Sequence, residues 1–337
     1  MFKVFKMKMY LKFISFAVMG CMCISCQSTN SERKKDESMN VVENQIKCVV
    51  AVDSITQVGE SPIWDYKYNR LLWIDTQGSL FIYTPQDGKN REVKLDRMIG
   101  TVVPYKEDTV LVGLQDGIYE MSLTTKELKF IADPEGRDAG NRYNDGKCDA
   151  EGRLWIGSMD KDCTPLKAGF FLVNPDGSSK SILKEVTISN GVIWSPDNSK
   201  IFYQDTPTRN ITAFDFDKER GEISNRQEII HLPDSLGTPD GNTIDEEGMV
   251  WVANWDAACV TRWNPYTGEL LQRIDVPALN VTAVAFGGEN LEDLYITTAS
   301  LYMPEDKASN YPQAGKLFVV KPGVRGIKCN YWKYGDK

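Results

Sequence analysis

Oxygen-bearing side chains recur at one position of a pattern that repeats along the chain. Each stands at the start of a short apolar run, which leads into a turn and a second apolar run. The six residues are Glu60, Thr101, Asn144, Asn190, Asp240 and Thr282. Two carboxylates with amide and hydroxyl oxygens are the ligands that hard divalent cations prefer. If the fold brings these positions together, the sequence predicts an all-oxygen metal site.

The same residues also fit ordinary turns. Sequences that begin at Asn144, Asn190 and Asp240 contain glycine directly after Asn or Asp, or one residue later, and such sequences are common turn formers. Their identical position in three repeats, with Glu60 at that position in a fourth, favours a shared site. The one histidine, His231, argues against a His-rich zinc site, and a G-x-S-x-G nucleophile motif is absent. We interpret His231, among apolar residues, as a strand-end residue.

Six predicted hairpins must position these residues. Equivalent points on the second run of each hairpin are 39 to 48 residues apart, and they are Trp73, Val112, Trp155, Tyr203, Trp251 and Tyr295. This is the period of a β-propeller blade. Further strand-like runs after the hairpins give four strands per repeat. The predicted fold class is all-β, a six-bladed β-propeller with four-stranded blades.

A propeller places residues of equal phase around its central axis, so the six polar residues should meet there. Closure of the ring requires the chain ends to meet. The strand-like run at 47–52 could complete the last blade, beside the run at 316–320. A β-sandwich or an open set of sheets is the alternative, although a sandwich lacks this period.

The first 25 residues are typical of an export signal. They contain lysines without acids, an apolar run from Phe13 to Ile24, and then Ser25 and Cys26. This apolar run is too short to span a bilayer. The sequence CISC at 23–26 resembles the cleavage box of bacterial lipoproteins and predicts lipidation of Cys26. Cys21 is a rival site, and an ordinary secretory signal is the alternative.

Residues 26–45 are rich in Ser, Asn, Lys and Glu and are predicted to be a flexible linker before a propeller domain at 46–337. We therefore expect an exported, membrane-anchored lipoprotein of the bacterial cell envelope, on its periplasmic or outer-membrane side. Membrane contact is expected only through the lipid anchor. The formal net charge of −8 argues against nucleic acid as a partner. Five cysteines follow residue 45 without a CxxC pair, and they support neither a disulfide framework nor a thiolate metal site.

Five short motifs follow one another in a fixed order: GESPIW at 59–64, RYNDGK at 142–147, ISNG at 188–191, PDG at 239–241 and FGG at 286–288. As an ordered set they resemble the senescence marker protein, gluconolactonase and regucalcin-like family, over about 49–326. The resemblance implies one divalent ion, calcium or zinc with magnesium or manganese as further options, on Glu60, Asn190 and Asp240. It also implies substrate binding by Arg142 and Asn144, and proton transfer by Asp240.

A further substrate contact of the family, a glutamate, falls near Asp162, and the shorter side chain puts that contact in doubt. The implied activity is metal-dependent hydrolysis of a small-molecule lactone, a sugar lactone such as gluconolactone. One alternative is an aryl ester or organophosphate hydrolase on the same scaffold. Another is a propeller that binds a ligand without chemistry, because fold alone does not fix function.

Overall fold

The computed structural model describes residues 46–136 and 140–333. The predicted leader at 1–25, the lipidation site Cys26 and the linker up to residue 45 lie outside the described residues and stay predictions. None of the described helices is long and apolar enough to cross a membrane.

The described residues form six antiparallel sheets of four strands each, which confirms the predicted six-bladed β-propeller. The strands of blades 1 to 3 are β2 (Gly59–Asp65), β3 (Arg70–Asp75), β4 (Ser79–Thr84) and β5 (Lys89–Lys94); β6 (Ile99–Lys106), β7 (Thr109–Leu114), β8 (Gly117–Ser122) and β9 (Leu128–Ala132); β10 (Asn141–Cys148), β11 (Leu154–Asp160), β12 (Ala168–Val173) and β13 (Ser179–Val186).

The remaining blades follow in chain order, with β1 added to the last. Their strands are β14 (Ser189–Trp194), β15 (Lys200–Asp205), β16 (Asn210–Asp217) and β17 (Glu222–His231); β18 (Thr238–Ile244), β19 (Val250–Trp255), β20 (Cys259–Trp263) and β21 (Leu270–Asp275); β22 (Asn280–Gly287), β23 (Asp293–Ala299), β24 (Leu317–Val320) and β1 (Val49–Val52). Three short 3₁₀ turns lie at Thr206–Thr208, Asp234–Leu236 and Ala308–Asn310.

The ring closes through blade 6, whose strand order is β1-β24-β23-β22. Strand β1 pairs antiparallel with β24, with Val49 opposite Val319 and Val50 opposite Phe318. The last blade therefore combines strands from both ends of the propeller, as the sequence predicts. This pairing covers an edge of β24 that would otherwise be free to bind another strand.

Aromatic side chains fill the space between blades. The six equivalent positions on the second strands are all buried, which agrees with the predicted phase. Trp155 of β11 packs edge-on against Trp194 of β14, with ring centroids 6.1 Å apart, and Trp251 of β19 packs against Phe286 of β22 at 5.8 Å. Because these rings join neighbouring blades, the core is a ring of interfaces around the axis.

The innermost strand of every blade carries an irregularity at the same phase. The shifts in register lie between Glu60 and Ile63, Ile99 and Thr101, Tyr143 and Gly146, Asn190 and Val192, Pro239 and Asn242, and Val281 and Ala283. A β-bulge bends its strand and re-aims the side chains beside it. The polar positions predicted from the repeat therefore lie where the innermost strands bend.

Candidate functional site

A cavity with both polar and apolar lining lies on the propeller axis. Its lining comes from five of the six innermost strands and includes Ser61, Val102, Asp145, Asn242 and Ala283. Ser61 and Asp145 directly follow the predicted site residues Glu60 and Asn144, and Asn242 comes two positions after Asp240. The predicted site residues of blades 1, 3 and 5 therefore adjoin the residues that line this cavity.

Asn190 and Asp240 are joined directly. The Asn190 side-chain amide donates from Nδ2 to Asp240 Oδ1 at 2.5 Å and to Thr206 Oγ1 at 3.1 Å. Both side chains are buried, with 5% of Asn190 and 7% of Asp240 exposed. The other amide atom, Asn190 Oδ1, is buried and has no hydrogen-bond partner among the described residues. An unpaired buried acceptor is costly, so Asn190 Oδ1 is an oxygen atom that could bind a ligand at this position.

Glu60 lies beside Asp240, with the two side chains in hydrogen-bonding reach of each other. Burial raises the Glu60 pKa to about 8, and the negative charge of Asp145 adds to the effect. Burial also raises the Asp240 pKa well above its usual range, followed by the charge of Glu60. The positive charges of Arg142 and Lys147 lower the Glu60 pKa, but burial and the charge of Asp145 outweigh them. A divalent cation at the two carboxyl groups would favour their charged forms.

The backbone is in a left-handed conformation next to two of these residues. Ser61 has φ of 48° and Gly191 has φ of 47°, in the left-handed region. A Cβ atom at Gly191 would lie 2.1 Å from Gln204 Nε2, so only glycine fits there. Strain of this kind costs about 1–3 kcal/mol for a residue such as Ser61, and it concentrates at functional sites. Here it accompanies the bulges that place Glu60 and Asn190 at the axis.

Arg142 and Asn144 form a second connected pair. Arg142 donates from Nη1 to Asn144 Oδ1 at 2.9 Å and to the Tyr143 carbonyl at 3.0 Å. The Asn144 amide donates from Nδ2 to the Ser189 carbonyl of the neighbouring blade at 2.9 Å. Burial lowers the Arg142 pKa, while the negative charge of Glu60 opposes that change. The guanidinium is therefore fixed within the electrostatic range of the carboxylates.

Two of the six repeat positions have another role. The Thr101 hydroxyl donates to the Gly146 carbonyl of the next blade at 2.9 Å. The Thr282 hydroxyl donates to the Gly59 carbonyl of blade 1 at 2.5 Å. Both threonine hydroxyls thus join neighbouring blades. The repeat positions that can offer side-chain oxygens at the axis are therefore those of the other four blades: Glu60, Asn144, Asn190 and Asp240.

Asp162 stays outside this buried group. It is exposed in the loop between β11 and β12, where its backbone N–H donates to Asp160 Oδ1 at 3.0 Å. His231 is the last residue of β17, and its Nδ1 lies 2.7 Å from Asn210 Oδ1. The position of His231 agrees with the strand-end interpretation.

Within 46–136 and 140–333, no group of three or more His, Cys, Asp or Glu side chains could hold a metal ion. A cation at the axis would therefore depend on an amide oxygen beside two carboxylates. Sequence reasoning missed the role of Lys147, whose Nζ donates to the Val192 and Asn242 carbonyls at 3.1 and 2.9 Å. The available signal was its place in the RYNDGK motif.

Known proteins are similar to this chain in sequence and in fold. A sequence profile of the family described as SMP-30/Gluconolactonase/LRE-like region matches residues 58–300. A Bacillus subtilis protein named as sugar lactone lactonase YvrE is 36% identical over 281 residues, which cover 83% of this chain and 96% of the relative. Regucalcin of Gallus gallus is 33% identical over 278 residues, covering 80% and 93%. A crystal structure of regucalcin from Agrobacterium tumefaciens shares the fold, with a TM-score of 0.82 at 24% identity, over 86% and 98%.

Proposed function

The chain belongs to the SMP-30/gluconolactonase/LRE-like family, and on that premise we propose that it is a hydrolase that opens the ring of a sugar lactone such as gluconolactone. The observation that carries the proposal is the oxygen group of Glu60, Asn190 and Asp240 at the axis, with Arg142 and Asn144 beside it. The relative from Bacillus subtilis, named as a sugar lactone lactonase, supports this substrate class.

The residues at the axis fit one divalent cation. Asn190 Oδ1 is buried without a hydrogen-bond partner among the described residues, and burial together with neighbouring negative charge raises the pKa values of Glu60 and Asp240. Oxygen ligands of this kind suit Ca²⁺, Mg²⁺ and Mn²⁺, and Zn²⁺ also accepts carboxylate oxygens. Glu60, Asn190 and Asp240 would hold the ion. When bound, it would polarise the lactone carbonyl and stabilise the negative charge that develops on the carbonyl oxygen.

Asp240 performs the proton transfers in this proposal. Its carboxylate takes a proton from the attacking water while the water oxygen bonds to the lactone carbonyl carbon. The bond between that carbon and the ring oxygen then breaks, and Asp240 returns the proton to the ring oxygen. The product is the open hydroxy acid. The hydrogen bond from Asn190 Nδ2 to Asp240 Oδ1 fixes the orientation of the carboxylate.

Arg142 and Asn144 bind and orient the substrate in this proposal. The guanidinium is a planar group of five N–H donors, suited to hydroxyl and carbonyl oxygens. Its bond to Asn144, and the bond from Asn144 to Ser189, hold both side chains in one arrangement. Fixed donors reduce the conformational entropy lost when the substrate binds.

Hydrolysis of gluconolactone by the purified protein tests this proposal. The assay is run after treatment with a chelator and again after separate addition of Ca²⁺, Zn²⁺, Mn²⁺ and Mg²⁺. We expect turnover that chelation abolishes and one or more of the ions restores. Turnover of aryl esters or phosphotriesters but of no lactone would indicate the first alternative. Lactone binding without any turnover would indicate a binding protein. Either result would contradict the proposal.

We also propose export and anchoring through lipidated Cys26, on the strength of the CISC sequence at 23–26. The test is metabolic labelling of the full chain in a bacterial host with an alkyne-bearing fatty acid. Cys26→Ser is expected to lose the label and Cys21→Ser to keep it. The reverse pattern would assign the anchor to Cys21, and an unlabelled wild-type chain would contradict lipidation.

A further inference from the structure

Beneath the oxygen group, the channel contains a second set of polar residues. We call Asp145, Lys147 and Asn242 the inner tier. All three line the axial cavity, which has a volume of about 10 Å³ for water-sized contents. A cavity of about 10–15 Å³ holds one water molecule. The inner tier is thus a small polar site within the core of the ring.

Lys147 connects three blades at this level. It lies in β10 of blade 3, and its Nζ donates to the carbonyls of Val192 in blade 4 and Asn242 in blade 5. The same ammonium lies 3.9 Å from Asp145 Oδ2, and the side chains of Lys147 and Asp145 are 16% and 7% exposed. A fixed positive charge therefore sits where channel carbonyls converge, next to a fixed negative charge.

Other polar atoms of the tier lack partners. Asn242 is completely buried, and its Oδ1 and Nδ2 have no hydrogen-bond partner among the described residues. Asp145 Oδ2 is also buried without a hydrogen bond, although Lys147 is near. Burial of such atoms in a core costs free energy, so these groups are not explained by packing alone.

The charges of the tier reach the oxygen group above. The negative charge of Asp145 raises the pKa values of both Glu60 and Asp240, whereas the positive charge of Lys147 lowers the pKa of Glu60. Neither Asp145 nor Lys147 is needed as a ligand for this effect, because Coulomb interactions at low effective dielectric extend over several ångströms. A doubly charged ion feels the same two charges twice as strongly as a single charge does.

We propose that the inner tier sets the divalent-cation affinity of the group formed by Glu60, Asn190 and Asp240. Asp145 increases that affinity, Lys147 decreases it, and neither contacts the ion. The wild-type tier carries one charge of each sign; the Asp145 charge acts on both Glu60 and Asp240, and the Lys147 charge acts on Glu60. This inference rests on the cation of the proposed function and adds a control on its affinity.

Titration calorimetry of the intact protein with Ca²⁺ alone, and with Mn²⁺ alone, tests the inference. Asp145→Asn leaves the tier positive and should weaken cation binding about tenfold. Lys147→Met leaves it negative and should tighten binding by about the same factor. The double variant is neutral again and should return to within about threefold of the wild-type dissociation constant.

Matched variants separate charge from structure. Lys147→Arg keeps the charge and should bind the ion like the wild type. Asn242→Asp adds a negative charge to the same cavity with little change in shape, and it should tighten binding. It also serves if Lys147→Met fails to fold, because Lys147 bonds to the Asn242 backbone carbonyl and not to its side chain.

Two kinds of failure are distinguishable. If the wild type binds no cation, the cation site itself is wrong, and the inference falls with it. If the wild type binds while Asp145→Asn and Asn242→Asp leave the affinity unchanged, the inner tier alone is wrong. Weaker binding in both Asp145→Asn and Lys147→Met would mean a purely structural role and would equally overturn the inference.

Discussion

The propeller places carboxylates out of solvent in two different environments. Asp149 of blade 3 and Asp245 of blade 5 are completely buried and surrounded by hydrogen-bond donors. Asp240 at the axis is also buried, but beside it lies Glu60, a second carboxyl group. The first environment satisfies a negative charge with protein groups, and the second leaves negative charge in excess.

The two buried carboxylates that are surrounded by donors have the same set of partners in their two blades. Asp149 accepts from Arg153 Nε at 2.7 Å and from Trp155 Nε1 at 2.9 Å. Asp245 accepts from Arg262 Nε at 2.7 Å, and in the same way from the tryptophan six residues later at 2.9 Å. Each also accepts two backbone N–H groups of the turn that follows. These carboxylates fasten the turn, the arginine and the buried ring to one another.

The difference indicates what each region is for. A buried carboxylate with several donors stabilises the fold, whereas two adjoining carboxyls with an unpaired amide oxygen destabilise it. Regions that violate the rules of stability are expected at functional sites. In the proposed function, the axial group exchanges stability for the ability to bind a cation and transfer protons.

The largest expected effect comes from Asp240→Asn. Loss of the proton-transferring group should lower kcat for lactone hydrolysis by about a thousandfold or more. The same change should stabilise the chelated protein by about 1 kcal/mol, since it removes a carboxyl group from an unfavourable site. Steady-state kinetics and urea unfolding in chelator measure the two effects. Full retained activity, or a lower stability, would contradict the assignment.

The same substitution in the other region, Asp245→Asn, should do the opposite. Removing the charge leaves Arg262 with a weaker partner and should lower the free energy of unfolding by about 3 kcal/mol. The kcat of the folded fraction should stay within about twofold of wild type. Asp275→Asn is the control, because that carboxylate is 81% exposed and pairs with Arg273 at the surface, where loss should cost less than about 1 kcal/mol. An equal loss of unfolding free energy in Asp245→Asn and Asp275→Asn would contradict the stabilising role of the buried carboxylate.

The axial region should also give the chelated protein a distinctive dependence on pH. The folded-state pKa of Glu60, about 8, lies above the ordinary value of 4.5, so the folded state binds this proton more tightly. Between these values the folded state holds more protons than the unfolded state, and stability from this group falls as pH rises. Urea unfolding of the wild type and of Glu60→Gln from pH 5 to pH 8 measures this dependence. The free energy of unfolding of the wild type, relative to that of Glu60→Gln, should fall as the pH rises. A difference that stays constant over this range would contradict the raised pKa.

The smallest effect is expected at Thr101, which shares the repeat phase of Glu60 but ties two blades. Thr101→Val removes the hydrogen bond to the Gly146 carbonyl and should cost about 1 kcal/mol of stability. Lactone hydrolysis by the folded protein should remain within about twofold of wild type. Urea unfolding and steady-state kinetics test both statements, and a large loss of kcat would assign Thr101 to the site.

The repeat predicts much of this architecture because blade geometry is periodic. Equal phase along the chain becomes equal position around the axis, which is why Glu60, Asn190 and Asp240 meet. The spacing also predicts that Trp155 and Trp251 are buried equivalents. Periodicity predicts the position of a residue in its blade, however, and not the residues that its side chain contacts.

The roles that sequence reasoning missed depend on neighbours from other blades. Thr101 reaches a carbonyl of blade 3, and Lys147 reaches carbonyls of blades 4 and 5. Such bonds join residues more than 40 positions apart, so no local pattern announces them. Asp162, near the expected substrate contact, lies apart from the axial residues. Its loop turns around Asp160 and leaves the Asp162 side chain exposed.

We propose that Glu60, Asn190 and Asp240 together hold one divalent cation. The most direct measurement is anomalous diffraction from crystals of the protein soaked in Mn²⁺. We expect one strong peak on the axis, within about 2.0–2.6 Å of an oxygen from each of the three side chains. The peak should disappear in Asp240→Asn crystals. Crystals with no peak at this position, or with a peak that the substitution leaves unchanged, would contradict the account.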